Sequence, residues 1–166
     1  MSPSSSTLVG IDSIRRAAER IRPVARRTPL LDAPFAPWST DAGSESGGLS
    51  GRVWLKAARL QHEGACKLRG AYKFLSAQDP GTLTDGVITY SSGNHAQAVA
   101  WSAREFGVRA TVVMPTDAPV IKRAATLAYG ARVEEAGTTT VERKALAEAI
   151  LAEEGGVMVP PFDHPE

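Results

Sequence analysis

The chain has 166 residues, with 19 Lys or Arg against 18 Asp or Glu and a formal net charge of +1. A domain of that length buries roughly two-thirds of its unfolded surface, and a charge so evenly balanced gathers neither nucleic acid nor anionic lipid, so neither is expected as a partner. One cysteine, Cys66, cannot close an internal disulfide, the opening MSPSSSTLVG lacks a signal-peptide layout, and no apolar run nears the ~20 residues of a membrane span; a cytoplasmic protein without membrane contact is expected.

Residues 1–8 are serine-rich and read as a mobile tail. From 10 to 22 the spacing of Ile11, Ile14, Ala17, Ala18 and Ile21 predicts an amphipathic helix, with Asp12 or Ser13 as its cap and Pro23 as its stop. Residues 27–31 read as extended, because Pro29 disfavours helix in the residue before it. The Gly- and Ser-rich stretch 39–51 reads as an inserted surface loop; it lacks the Gly-Lys-Ser or Gly-Lys-Thr of a phosphate loop. Beyond it the chain alternates. Strands are predicted at 53–55, 86–90, 110–114, 132–135 and 156–159, and helices at 67–77, 94–106, 120–129 and 139–154, with Gly107 and Gly130 closing two of them. This alternation implies an α/β fold: an open parallel sheet covered by helices on both faces, three layers in all. Ligands of such sheets bind outside the carboxyl ends of the strands, which is where the loop after Tyr90 falls.

Two segments carry candidate chemistry. Lys67 would open a helix, where the macrodipole disfavours an ammonium and so favours a Schiff-base nucleophile, although a lone lysine beside Arg69 is more often a surface cation. Ser91, Ser92, Gly93, Asn94 and His95 lie between a strand and a helix, where hydroxyls and free N–H groups can hold a carboxylate; ordinary capping by Ser92 or Asn94 explains the same residues. Cys66 reads as a small buried residue. His62 and His164 have no metal-ligand spacing with His95, so no metal is expected.

Taken together, Gly64-Ala-Cys-Lys-Leu-Arg-Gly-Ala71 and Ser91-Ser-Gly-Asn-His-Ala-Gln-Ala98 resemble the signature of fold type II pyridoxal-phosphate enzymes, in particular the threonine and serine dehydratase and serine racemase group. That group carries Gly-Ser-Phe-Lys-x-Arg-Gly-Ala and then Ser-Ser-Gly-Asn-His-(Gly/Ala)-Gln-(Ala/Gly). Arg27-Thr-Pro-Leu30, Leu60-Gln61, Val113-Met-Pro115 and the text from Lys122 to Ala131 match its flanks. The resemblance implies pyridoxal 5'-phosphate as cofactor, with Lys67 as its Schiff-base lysine and proton carrier on one face. It makes Ser92 the proton donor of the other face in a racemase, Asn94 the amide that bonds the pyridoxal 3-oxygen, and Ser91 to His95 the cradle of the substrate carboxylate.

The expected reaction is the dehydration and deamination of L-threonine or L-serine, a small-molecule amino acid, to a 2-oxo acid and ammonia, and the family implies a homo-oligomer. Ala65, Cys66 and Ala58 depart from the family's usual serine, phenylalanine and glutamate. The family's Gly-Gln-Gly-Thr segment and its glycine-rich phosphate loop follow text that ends here at Glu166. The expected organisation is therefore a tail at 1–8, part of the cofactor-binding large domain at 9–85, a complete small α/β domain at 86–160, and the start of a return to the large domain at 161–166. On that plan the first 85 residues leave apolar surface and strand edges uncovered. A non-catalytic module of the same fold and a serine racemase are the competing readings.

Overall fold

The structure is a computed structural model and describes residues 9–33 and 53–162. The tail at 1–8, the loop at 39–51 and residues 163–166 lie outside the described residues.

The first helix, α1 (Ile11–Ile21), starts from Gly10 with no side chain bonded to its first turn, so neither Asp12 nor Ser13 caps it. Asp12 falls inside the helix instead and pairs with Arg15 at 3.2 Å. Strands β1 (Leu30–Asp32) and β2 (Trp54–Lys56) pair antiparallel, with Leu31 opposite Leu55. Every residue of this ribbon is exposed, and α1 buries none of its own, so Ile11, Ile14, Leu30, Leu31, Trp54 and Leu55 present apolar surface.

The remaining elements run α2 (Lys67–Ala77), β3 (Val87–Tyr90), α3 (Asn94–Phe106), β4 (Ala110–Met114), α4 (Val120–Ala128), β5 (Arg132–Glu135), α5 (Thr140–Glu154) and β6 (Val157–Met158). Four strands form one parallel sheet in the order β5-β4-β3-β6. All five residues of β4 are buried, as a central strand covered on both faces requires. Alternation along the strands divides the core: Val87, Val112 and Met114 pack with α2 and α3, and Ile88 and Val113 pack with Ala147 and Ile150 of α5. The layers are therefore helix, sheet, helix.

Helix α3 is buried without a break from His95 to Ala103, because the small side chains of Ala96, Ala98, Ala100 and Ala103 let it lie close to both the sheet and α2. Ala71, Phe74 and Leu75 of α2 belong to that same core. Thr139 caps α5 in a reciprocal box with Glu142, so the predicted first residue of this helix is its cap and the helix proper starts one residue later. At the other edge β6 can approach β3 only because Gly156 has no side chain: a Cβ there, at φ +100°, would sit 2.7 Å from the Gly86 carbonyl oxygen. Among the described residues no helix is long and apolar enough to cross a membrane.

Candidate functional site

Three strand ends converge on one cleft. Ser91 extends the sheet by donating its N–H to the Val113 carbonyl at 3.0 Å, and the chain turns at Gly93 into α3. Gly93 itself is the N-cap of α3 and no side chain caps the helix, so Ser92 and Asn94 are not occupied in the way ordinary capping would require. The first N–H groups of any helix lack intrahelical partners, and the dipole there favours an anion. A Cβ on Gly93 would meet nothing within 4 Å, so this row of donors opens onto free space.

Lys67 stands across that space as the first residue of α2. The turn ahead of it is fastened at successive residues. Gln61 uses its amide to bond both backbone groups of Arg26, at 3.1 and 2.7 Å, in place of a strand partner. His62 lies 3.0 Å from the Val24 carbonyl oxygen and stacks on Trp101 at 5.1 Å. Glu63 accepts the Leu68 N–H at 2.5 Å, closing the start of α2. The Lys67 ammonium points to the Pro161 carbonyl oxygen, 3.5 Å away, and is otherwise exposed.

Pro161 arrives there through β6. Thr89 Oγ1 donates to the Val159 carbonyl at 2.7 Å and the His95 ring meets the same oxygen at 3.3 Å, so strand and helix both grip the returning chain. Burial pushes the His95 pKa down to about 4. His95 is thus a neutral ring near neutral pH that donates Nε2–H to Val159 and leaves Nδ1 as an acceptor.

The resulting cleft, about 460 Å³, is lined by Lys67, Ser91, Ser92, Asn94, His95 and Arg143. Every site residue expected from the sequence therefore reaches one place. A second hollow of about 270 Å³ adjoins it, where Cys66 borders Lys67 and His95. Cys66 is exposed and not buried as expected, because it is the N-cap of α2 and stands outside the packed face that begins at Leu68.

Three residues of the site escaped the sequence reading. Arg143 of α5 is 9% exposed, bonds Thr138 O and Thr140 Oγ1 at 3.0 Å each, and keeps a buried Nε without a partner among the described residues. Its hydrogen bonds thus run to neutral oxygens, beside the Glu142 carboxylate. Lys122 of α4 donates to Asn94 Oδ1 at 2.5 Å. With that oxygen occupied, the Asn94 NH2 group is left to donate elsewhere. Glu63 is half-buried beside both lysines. Arg143 and Lys122 lie in the first turns of helices that follow β5 and β4, so the carboxyl-end rule could have found them had it been applied beyond the loop after Tyr90.

The donor set suits an anionic, carbonyl-bearing cofactor and an amino-acid carboxylate: one primary amine, one uncommitted amide donor, hydroxyls, and a helix start, with no acidic side chain lining the cleft among the described residues. Comparison with known proteins agrees. Residues 21–166 match the family described as "Pyridoxal-phosphate dependent enzyme". The chain is 40% identical over 151 residues to the L-threo-3-hydroxyaspartate ammonia-lyase of Pseudomonas sp., covering 91% of this chain and 44% of the relative. It is 39% identical over 154 residues to the serine racemase of Schizosaccharomyces pombe, covering 93% and 45%. The solved T.th. threonine deaminase superposes with a TM-score of 0.76 at 39% identity, covering 95% of this chain and 46% of that one. The chain thus spans under half the length of these relatives. With its signature lysine and its serine-rich loop facing each other across one cleft, this chain belongs to the pyridoxal-phosphate-dependent enzymes, whose members among its relatives include ammonia-lyases and racemases.

Proposed function

We propose that this chain supplies the reactive amine and the substrate-carboxylate cradle of an ammonia-lyase that removes the β-hydroxyl and the amino group of an L-hydroxy amino acid, threonine or serine in the first instance. The observation that supports it is the single cleft between Lys67 and the Ser91–His95 loop. Pyridoxal phosphate, when bound, supplies the electron sink for charge developing at the substrate α-carbon. Lys67 is the residue that would hold the cofactor's carbonyl carbon, and its amine, once the substrate's own amine has displaced it, would be the base placed to take the α-proton. Asn94, its Oδ1 held by Lys122, would donate its NH2 to the cofactor's 3-oxygen. Ser91, Ser92 and the first N–H groups of α3 hold the substrate carboxylate, so that the α-proton faces the lysine. Neutral His95 lends no charge and serves to fix the returning chain behind that cradle. Loss of the β-hydroxyl leaves an enamine that hydrolyses to a 2-oxo acid and ammonia.

In this reading residues 86–160 are the small domain, with α2 laid against it, and residues 9–85 belong to the large one. The whole protein is a cytoplasmic homo-oligomer.

One observation favours a variant of the substrate. Arg143 brings to the lining of the cleft a guanidinium whose buried Nε has no hydrogen-bond partner among the described residues. A substrate with a second carboxylate, 3-hydroxyaspartate, would supply the missing acceptor, and the Pseudomonas relative bears that substrate in its name.

The test is direct. Pyridoxal phosphate added to the purified chain should give a visible absorbance band that borohydride fixes as a label on Lys67, and Lys67→Ala should abolish both. A label spread over several lysines, or a band that survives Lys67→Ala, would overturn the assignment and favour the non-catalytic module. With 2-oxo acid release as readout, loss of isomerisation but retained elimination in Ser92→Ala would favour the racemase.

A further inference from the structure

The four hydroxyl side chains that line the cleft are not alike. Ser91 Oγ accepts the Gly93 N–H at 3.4 Å, and Thr140 Oγ1 accepts an N–H of Arg143 at 3.0 Å. The hydroxyls of Ser92 and Tyr90 have no hydrogen-bond partner among the described residues. Ser92 already belongs to the carboxylate cradle, whereas Tyr90 has no part in the proposed reaction.

Tyr90 is the last residue of β3, one position ahead of the cradle, and pairs in register with Val113 of β4. Side chains alternate along a strand, so Tyr90 shares the face of Ile88 and packs against the cluster of Ile88, Val113, Ala147 and Ile150 beneath α5. Arg143 lies one helical turn ahead of Ala147 on the buried side of α5. Tyr90 and Arg143 thus belong to the side of the cleft where the end of the sheet meets α5, while the start of α3 forms another. The half-buried Tyr90 ring is held by that packing, and its hydroxyl oxygen is neither bonded nor sealed from solvent.

The two residues differ in what they can recognise. A guanidinium only donates, which suits a carboxylate, whereas a phenol hydroxyl both donates and accepts, which suits another hydroxyl. An amino acid whose carboxylate sits at the start of α3 and whose amine is turned towards Lys67 has its side chain left to place, and the α5 side of the cleft is left to receive it. We infer that Tyr90 is a specificity-determining residue whose hydroxyl bonds the β-hydroxyl of the substrate, and so selects hydroxy amino acids over those with a plain alkyl side chain. This rests on the carboxylate cradle proposed above and adds the group that reads the third substituent of the α-carbon.

The test uses the full chain without cofactor, so that no turnover intervenes. L-Serine and L-alanine, which differ only in the β-hydroxyl, are titrated against the chain carrying 13C at tyrosine Cζ, and binding is read by NMR. One neutral hydrogen bond gained on binding should make L-serine bind about two- to tenfold more tightly than L-alanine. In Tyr90→Phe, which keeps the ring and its packing, L-alanine should bind as it does to wild type and the preference for L-serine should vanish. Of the three tyrosine resonances, the one missing from Tyr90→Phe should move further with L-serine than with L-alanine. A preference that survives in Tyr90→Phe, or a Tyr90 resonance that responds equally to both amino acids, would overturn the inference. Should Tyr90→Phe fail to fold, Tyr72→Phe and Tyr129→Phe identify the Tyr90 resonance by elimination, and the wild-type response decides. Failure of the cradle registers separately: L-alanine would then not bind the wild type, which removes the cradle and this inference with it.

Discussion

At the scale of single residues, the cleft is governed by groups whose burial and charge disagree. His95 and Glu63 are shifted in opposite directions, both chiefly by desolvation. Between pH 4 and 6.5 the unfolded chain binds a proton that folded His95 refuses, so this residue's contribution to stability falls as the pH falls through that window. Glu63 works in reverse: its folded carboxyl keeps a proton that the unfolded one loses above 4.5, so its contribution is whole below 4.5 and is lost as the pH rises through about 7. In the shared window from 4.5 to 6.5 the two oppose each other. The thermal midpoint of the wild type should vary little there, and in Glu63→Gln it should rise with pH, as differential scanning calorimetry would show. Arg143 makes the second prediction at this scale. A hydrogen bond to a charged group contributes about 1.5–3 kcal/mol, so Arg143→Gln should lower kcat/KM for 3-hydroxyaspartate relative to threonine by roughly ten- to a hundredfold. An unchanged ratio would remove the dicarboxylate reading and leave the monocarboxylate one.

Among the elements, the middle of the chain was legible and its edges less so. The apolar runs of β3 and β4 and the glycine stop after α3 are local signals, and α2, α3, β4 and β5 occupy the residues expected of them. Strand β2 lies one residue beyond its predicted span, because its limits are set by pairing with β1 and not by its own pattern. Cys66 was misjudged on residue type: a small thiol is usually interior, but a helix cap faces outward. Arg143 was hidden by its helix, where a charge after Thr139 and Glu142 reads as part of a solvated face. The caps themselves are testable. Thr139→Ala removes the hydroxyl half of the capping box, leaving the backbone N–H of that residue bonded to Glu142, and should cost about 1 kcal/mol. Gly156→Ala imposes a side chain on a positive φ and on the Gly86 carbonyl, and should cost roughly 2 kcal/mol. Chemical denaturation followed by circular dichroism measures both, and Gly156→Ala alone should also disturb the cleft, since it sits at the root of β6.

Over the whole molecule, two regions differ in how they are closed. From α2 to Val159 the chain covers its sheet on both faces and buries a core cluster on each. Ahead of that, α1 and the β1–β2 ribbon keep apolar side chains in the open, whereas α2, also within the first 85 residues expected to stay uncovered, is packed into the core. Periodicity revealed that α1 has an apolar stripe, but no local pattern states what a stripe packs against. The same limit applied to the site. The lysine segment and the serine loop were each ambiguous alone, and their meeting depends on α2 packing against α3, which sequence spacing does not encode.

The grip of Thr89 and His95 on the Val159 carbonyl has a consequence in time as well as in space. Lys67 and its partner Pro161 are separated by 94 residues, and the β3–β6 pairing that brings them together joins Val87 to Val157. Contacts so distant along the chain close large loops and form late in folding. Lys67 and the Ser91–His95 loop therefore acquire their final geometry only when the last strand docks, after the β3–β4 framework is in place. In a pulse-labelled hydrogen-exchange experiment the Val159 amide, bonded to Ile88 at 2.8 Å, should gain protection after those of β4, and its protection marks the moment at which the cleft takes its final shape.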